Sequence, residues 1–205
     1  MEDLSLGRQL FAQQQKGKFT DCSFLFKIKA DNGEVQEKVI HAHKLILSVA
    51  SNYFETHFKR QWSNNEPILI ETVEFSLFEK LIRAIYLNVT HFDSLKEAAD
   101  LYEAAHFYEM ETVLELLRRD IKRFLQAEKD FRISSIGNIA WKYNDIKLTH
   151  CTANFMIEYA NRVNNDPDFV NLTPEFVIPL FICFCLKFFD KFPQDKLQNM
   201  MSKCL

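Results

Sequence analysis

Asp21-Cys22-Ser23-Phe24-Leu25-Phe26-Lys27-Ile28-Lys29 puts Cys22, Phe24, Phe26 and Ile28 on one side and Ser23, Lys27 and Lys29 on the other. That two-residue period belongs to a strand buried on one face. Asp31-Asn32-Gly33 follows and supplies residues that tolerate positive φ in a tight hairpin. Residues 35–41 read as the return strand, so two antiparallel strands open the fold. Upstream, residues 4–15 suit a short helix with Leu10 and Phe11 on its apolar side.

Downstream the period becomes helical. Residues 43–50 and 51–59 read as two short helices, the second carrying Tyr53, Phe54, His57 and Phe58 on neighbouring turns. Residues 67–71 alternate through Ile68 and Ile70 and read as a third strand. Ser76-Leu77-Phe78-Glu79 and Ser94-Leu95-Lys96-Glu97 both have capping-box spacing, the serine accepting from the N–H three residues on. Leu81, Ile82, Ile85 and Tyr86 extend the first helix as one apolar face; Leu95, Ala98, Leu101 and Ala105 point inward from the second. Residues 110–126 give the clearest helix, with Val113, Leu114, Leu117, Ile121, Phe124 and Leu125 at i, i+3, i+4, i+7 spacing. No strand pattern returns beyond it. Residues 133–143 and 147–161 read as a helical pair, Asn164-Asn165-Asp166-Pro167 as a loop, and Thr173-Pro174 as a helix start. The expected class is α+β: a short β-sheet flanked by a helical cluster to residue 126, then an all-α region over 127–205. No long linker separates the halves, so they are expected to pack together.

The 205 residues suffice for one substantial core or two small ones. The 4 glycines fall well below the usual share, and such a chain builds few tight turns or phosphate-cradling loops; the 20 phenylalanines are correspondingly many. A net charge of -3 offers no basic field to nucleic acid. Arg118-Arg119 and Lys122-Arg123 read as the solvated face of a helix. Cys22, Cys151, Cys183, Cys185 and Cys204 are odd in number and lack a framework spacing, which suits reduced thiols. The first ten residues contain acids and no apolar run, unlike a secretory signal. The greasiest stretch, residues 176–189, is broken by Pro179 and Lys187 and falls short of the about 20 apolar residues a span needs. These readings place the protein inside the cell, cytoplasmic or nuclear, with no membrane or nucleic-acid partner.

Chemistry finds little to work with. His41-x-His43 and Cys183-x-Cys185 sit in different halves, and neither has the usual ligand spacing of a zinc site. His150 and Cys151 are adjacent on a helix and so do not face each other. No Gly-rich loop, Walker pattern or H-E-x-x-H is present. The expectation is a protein that is not an enzyme, with no catalytic residue, metal ligand or cofactor.

Three stretches together resemble the signature of the BTB/POZ family: Phe19-Thr20-Asp21-Cys22-Ser23-Phe24, His41-Ala42-His43-Lys44-Leu45-Ile46-Leu47-Ser48, and Ser51-Asn52-Tyr53-Phe54. Ile85-Tyr86 and Ala104-Ala105-His106-Phe107-Tyr108 extend the likeness, which covers residues 4–126. Residues 127–205, with Asp168-Phe169-Val170-Asn171-Leu172, are similar to the helical BACK region that often follows, complete or not. The resemblance implies a homodimer with Leu10 and Phe11 on the dimer helix. It also implies a charged pocket near the dimer floor formed by Asp21 and Lys44.

The family's cullin adaptors carry an apolar-x-Glu motif just after the second short helix. This chain has Trp62-Ser63-Asn64 there, so the apolar position is filled and the acid is missing. Trp62 stands among Arg60, Gln61, Ser63, Asn64 and Asn65 and reads either as an exposed anchor or as a ring folded back onto the domain. By the resemblance, Phe58, Trp62, Asn64 and Tyr108 are the expected cullin contacts. The function expected is a homodimeric interaction module serving a cullin-3 ubiquitin ligase as substrate adaptor. The alternative is an oligomerisation or scaffold subunit of a transcriptional or other assembly with no ubiquitin link. A client protein of unknown identity would dock on the helical tail or on residues 181–192, a stretch that suits plain helix core better.

Overall fold

A computed structural model describes residues 5–29, 33–61, 66–127 and 132–159. The chain divides into two compact units, Met1–Arg123 and Phe124–Leu205. The first begins with α1 (Leu6–Gln15), then β1 (Cys22–Lys29) and β2 (Val35–Ala42). These two pair antiparallel from Cys22↔Ala42 to Lys29↔Val35. The alternation read from sequence is the alternation found: Cys22, Phe24 and Phe26 are buried, while Lys27 and Lys29 are exposed. Asp31 and Asn32 of the hairpin lie outside the described residues; Gly33 takes the positive φ (82°) that its lack of a Cβ permits.

Next come α2 (Lys44–Ala50), α3 (Asn52–Gln61) and β3 (Ile68–Leu69). The third strand is shorter than its sequence pattern. It lies parallel to β1, pairing only with Phe24 and Leu25, and completes a sheet of order β2-β1-β3. After the Ile70 N–H donates to the Leu25 carbonyl (2.9 Å), the chain leaves the sheet.

Helices α4 (Phe75–Leu87), α5 (Leu95–Phe107) and α6 (Glu111–Gln126) follow. Ser94 caps α5 as expected, accepting from the Glu97 N–H at 3.2 Å. The expected box at 76–79 does not form: α4 starts one residue before Ser76, with Glu74 at the cap and no side-chain bond. Phe75 is the reason, because its ring meets Phe26 edge-on at 5.3 Å and fixes the first turn of the helix there.

The core is aromatic. Phe24, Phe54, Phe58, Phe78 and Tyr108 are all fully buried. Phe54 stacks on Tyr108 (5.3 Å, 11°), and Phe78 presents its edge to Phe24 (4.9 Å). Each such pair adds about 0.5–1.5 kcal/mol beyond its burial. Ser51 ties the cluster to the backbone: its hydroxyl donates to the Tyr108 carbonyl (2.5 Å) and accepts from the Phe54 N–H (3.1 Å). The inward faces of α5 and α6 are those read from sequence, with Leu101, Ala105, Leu117 and Ile121 all buried.

In the second unit, α7 (Ser134–Lys142) and α8 (Ile146–Glu158) form the expected helical pair. Asp145 caps α8 through the Leu148 N–H (2.9 Å), and Ile136, Ala140, Leu148 and Ala153 are buried. The loop at 164–167, the helix start at 173–174 and the stretch 181–192 lie outside the described residues. Among the described residues no helix is long and apolar enough to cross a membrane.

Candidate protein-interaction surface

The hinge between β1 and α2 is a hydrogen-bonded knot. Asp21, just before β1, accepts from the backbone N–H of Lys44, the first residue of α2, at 2.7 Å. A carboxylate there satisfies one of the helix's unpaired donors and opposes the positive end of its dipole. The expected pair is therefore brought together, through the Lys44 main chain. The Lys44 ammonium lies 6.0 Å from the Phe58 ring centre.

His43 locks the same turn. Its backbone N–H donates to the Tyr86 hydroxyl (3.2 Å); its Nδ1 lies 2.6 Å from that hydroxyl, and its Nε2 lies 3.2 Å from the Lys18 carbonyl. A carbonyl only accepts, which assigns the ring proton to Nε2 and makes Nδ1 the acceptor of the Tyr86 proton. Burial pushes the Tyr86 hydroxyl's pKa up, so it stays a donor. Cys22, one residue after Asp21, is pushed up to about 12 by burial and then by the Asp21 charge, only partly offset by Lys44. It is a buried thiol, the wrong protonation state for a nucleophile. Among the described residues no cluster of three His, Cys, Asp or Glu stands ready for a metal.

Leu10 and Phe11 of α1 are both half-buried. Phe11 lies against Tyr86 (6.1 Å) and under the Arg83 guanidinium (6.0 Å) of the same chain. Gly7 allows this seat, since a Cβ there would run into the Tyr86 carbonyl oxygen. On the same helix Leu6 is exposed, and further apolar surface lies on α2 and just ahead of β1. On α2, Leu47 is buried while Leu45 and Val49, one turn apart, are 68% and 81% exposed. Phe19 is 85% exposed and takes φ 60°, a strained value for a bulky side chain. Phe19 precedes Asp21 by two residues and Leu45 follows Lys44, so both flank the bonded pair in sequence.

A second surface lies over the aromatic core. Phe58 and Tyr108, expected among the cullin contacts, are 2% and 1% exposed, and their rings form part of the core. Tyr108 also ties its hydroxyl to Thr72 Oγ1 (2.7 Å). Their neighbours stand outside: Tyr53 is 38% and Phe107 51% exposed, with ring centres 6.0 Å apart. Tyr53 stacks on His57 (7° between planes) and meets Tyr108 edge-on at 5.2 Å. The sequence spacing of Tyr53 and His57 pointed to one helix face; the partnership with Phe107 needs the tertiary fold. Trp62 and Asn64 lie outside the described residues.

The basic clusters of α6 are tied to acids along the helix. Arg118 reaches Glu111 (3.0 Å) and Glu115 (3.1 Å), and Arg119 and Arg123 share Asp120 (2.9 and 3.3 Å). This is the solvated face that the sequence suggested.

The sequence profile of the BTB/POZ domain matches residues 10–125, more than half of the chain. The chain belongs to the BTB/POZ family, whose fold is a protein-interaction module and generally not an enzyme. It is 28% identical over 174 residues to the Kelch repeat and BTB domain-containing protein A55 of vaccinia virus (strain Western Reserve), covering 82% of this chain and 28% of that protein. It is 26% identical over 167 residues to BTB/POZ domain-containing protein 17 of Xenopus tropicalis, covering 80% and 34%. The chain thus spans about a third or less of the length of these curated relatives. Among solved structures, the BTB domain of zebrafish PATZ1 aligns with a TM-score of 0.45 and 24% identity, over 58% of this chain and 89% of that one.

Proposed function

We propose that the chain is a homodimeric adaptor that offers one face to a second copy of itself and another to cullin-3 of a ubiquitin ligase. The observation that carries the reading is the split of the aromatic cluster: Phe54, Phe58 and Tyr108 fill the core, while Tyr53 and Phe107 stand on the surface in mutual contact. An exposed aromatic pair held rigid from below is the kind of anchor on which interface energy concentrates.

The dimer face combines α1, with Leu10 and Phe11, and the exposed Leu45 and Val49 of α2. Exposed apolar groups of this kind favour an isologous contact. The BACK-like reading of 127–205 and the boundary at residue 126 belong to the same proposal, supported by the α7–α8 pair. So does action in the cytoplasm or nucleus on a client protein.

Light scattering at micromolar concentration and titration with the cullin-3 N-terminal domain test it together. A dimeric mass with saturable binding is expected. A monomeric mass overturns the dimer. A dimer that ignores cullin-3 replaces the adaptor with the scaffold subunit of another assembly.

A further inference from the structure

The edge of β1 is covered by β3 for only two residues, Phe24 and Leu25, although β1 runs on to Lys29. Leu25 turns its carbonyl toward β3, where Ile70 donates to it. In an antiparallel ladder the main-chain groups of successive residues point to alternate sides. Lys27 and Lys29 therefore aim their N–H and C=O groups the same way as Leu25, past the end of β3. Among the described residues nothing on that side pairs with them.

A cleft of about 610 Å³ opens at this edge. Phe26, Ile28, Ile70, Val73 and Phe75 give it apolar walls. Lys27 and Lys29, whose side chains alternate with those of Phe26 and Ile28 along β1, also border it. Neither forms an ion pair within 4 Å among the described residues, although Glu37 stands in register with Lys27. On the cleft face Lys38, cross-strand from Phe26, sits over the Phe75 ring (4.7 Å), and Glu71 and Glu74 also line the cleft.

We propose that this edge takes up an extended segment of a partner protein in which acidic and apolar residues alternate, added to the sheet as a strand beside residues 27–29. Its main chain meets the open N–H and C=O groups of Lys27 and Lys29. Its acidic side chains lie on the lysine face, and its apolar ones reach the cleft. A second copy of this chain is a poor occupant, because edge-to-edge pairing would bring like-charged lysines together. Glu71 and Glu74 select against acids on the cleft side, which fixes the register of the alternation. This surface is separate from those assigned to the dimer and to cullin-3, and does not depend on them.

The probe is a fluorescently labelled eight-residue peptide alternating glutamate and valine, titrated into the full chain and followed by polarisation. Hydrogen exchange is read at single amides. Saturable binding is expected, with the Lys27 and Lys29 amides slowed and those of Phe26 and Ile28, already facing β2, unchanged. Lys27→Glu with Lys29→Glu should weaken binding at least tenfold. Should that variant fail to fold, the wild type still decides: a peptide N-methylated at alternate amides, unable to add to a sheet, should not bind. Failure of the unmethylated peptide to bind at millimolar concentration overturns the proposal. So does equal binding of a lysine–valine peptide, or protection at other amides only.

Discussion

The carboxylate of Asp21 and the backbone N–H of Lys44 are 2.7 Å apart, so a residue ahead of the first strand closes the start of the second helix. The sequence resemblance brings two charged residues together here, and the capping contact itself uses a donor every residue type except proline possesses. Asp21→Ala should therefore cost about 1 kcal/mol, the usual loss when a helix cap is removed. Asp21→Asn should cost less, since an amide oxygen still accepts. Lys44→Ala keeps the N–H, so whatever coupling it shows to Asp21→Ala belongs to the two charges and not to the cap. A thermal-unfolding double-mutant cycle measures this, and a coupling above about 1 kcal/mol would show a direct charge–charge role.

Glu97 gives the fold an acid limit. Burial alone would raise its carboxyl, but hydrogen bonds from Lys80 and the Asp93 N–H prevail and hold it below its ordinary 4.5. A depressed carboxylate stabilises the fold above its unfolded pKa and loses that contribution as pH falls through the folded value. Melting temperature should thus decline below about pH 4.5 in the wild type, in part through this group. Glu97→Gln should start lower at pH 7 and decline less steeply. Parallel slopes for the two proteins would remove Glu97 from the account.

Glu109 sits at φ 50° just past the end of α5, donating its N–H to the His106 carbonyl (3.0 Å). A left-handed conformation costs a residue with a Cβ about 1–2 kcal/mol, part of which glycine's freer unfolded chain returns. Glu109→Gly should therefore stabilise the protein by about 1 kcal/mol, seen as a rise in Tm of about 2–4 °C. An unchanged or lowered Tm would mean that the Glu109 side chain contributes more than its backbone loses.

Tyr53 and Phe107 separate surface from core within one aromatic cluster. Tyr53→Ala and Phe107→Ala should each weaken cullin-3 binding by about tenfold or more. Both should leave the melting temperature close to wild type. Phe58→Ala, by contrast, empties a fully buried site and should cost about 3–5 kcal/mol of stability. Titration and calorimetry on the three variants distinguish the roles. Wild-type affinity in both surface variants would move the contact elsewhere.

Much of the fold is written in local periods. The β1 alternation, the Ser94 cap and the inward faces of α5 and α6 each depend on residues within a turn or two, so sequence reading finds them. The start of α4 does not: Phe75 is drawn into the helix by Phe26, nearly fifty residues away in the chain. The site is less legible for the same reason. Spacing groups Tyr53, Phe54, His57 and Phe58 together, yet only the fold separates the exposed Tyr53 from the buried Phe58. Leu45 and Val49 stand one turn apart, and their exposure, against the buried Leu47, rests on how α2 packs on α3 and α4.

The Ser51–Tyr108 hydrogen bond joins residues 57 positions apart, and Phe24, whose ring meets Phe54 and Phe78 in the same core, is made earlier still. On the ribosome this sets an order of events. At roughly 5–20 residues per second, the aromatic face of β1 must wait several seconds or more for Tyr108 to be synthesised and emerge. During that interval the nascent chain carries an unshielded row of rings, the kind of surface that chaperones meet first. Closure of the core is thus timed by the emergence of a single tyrosine.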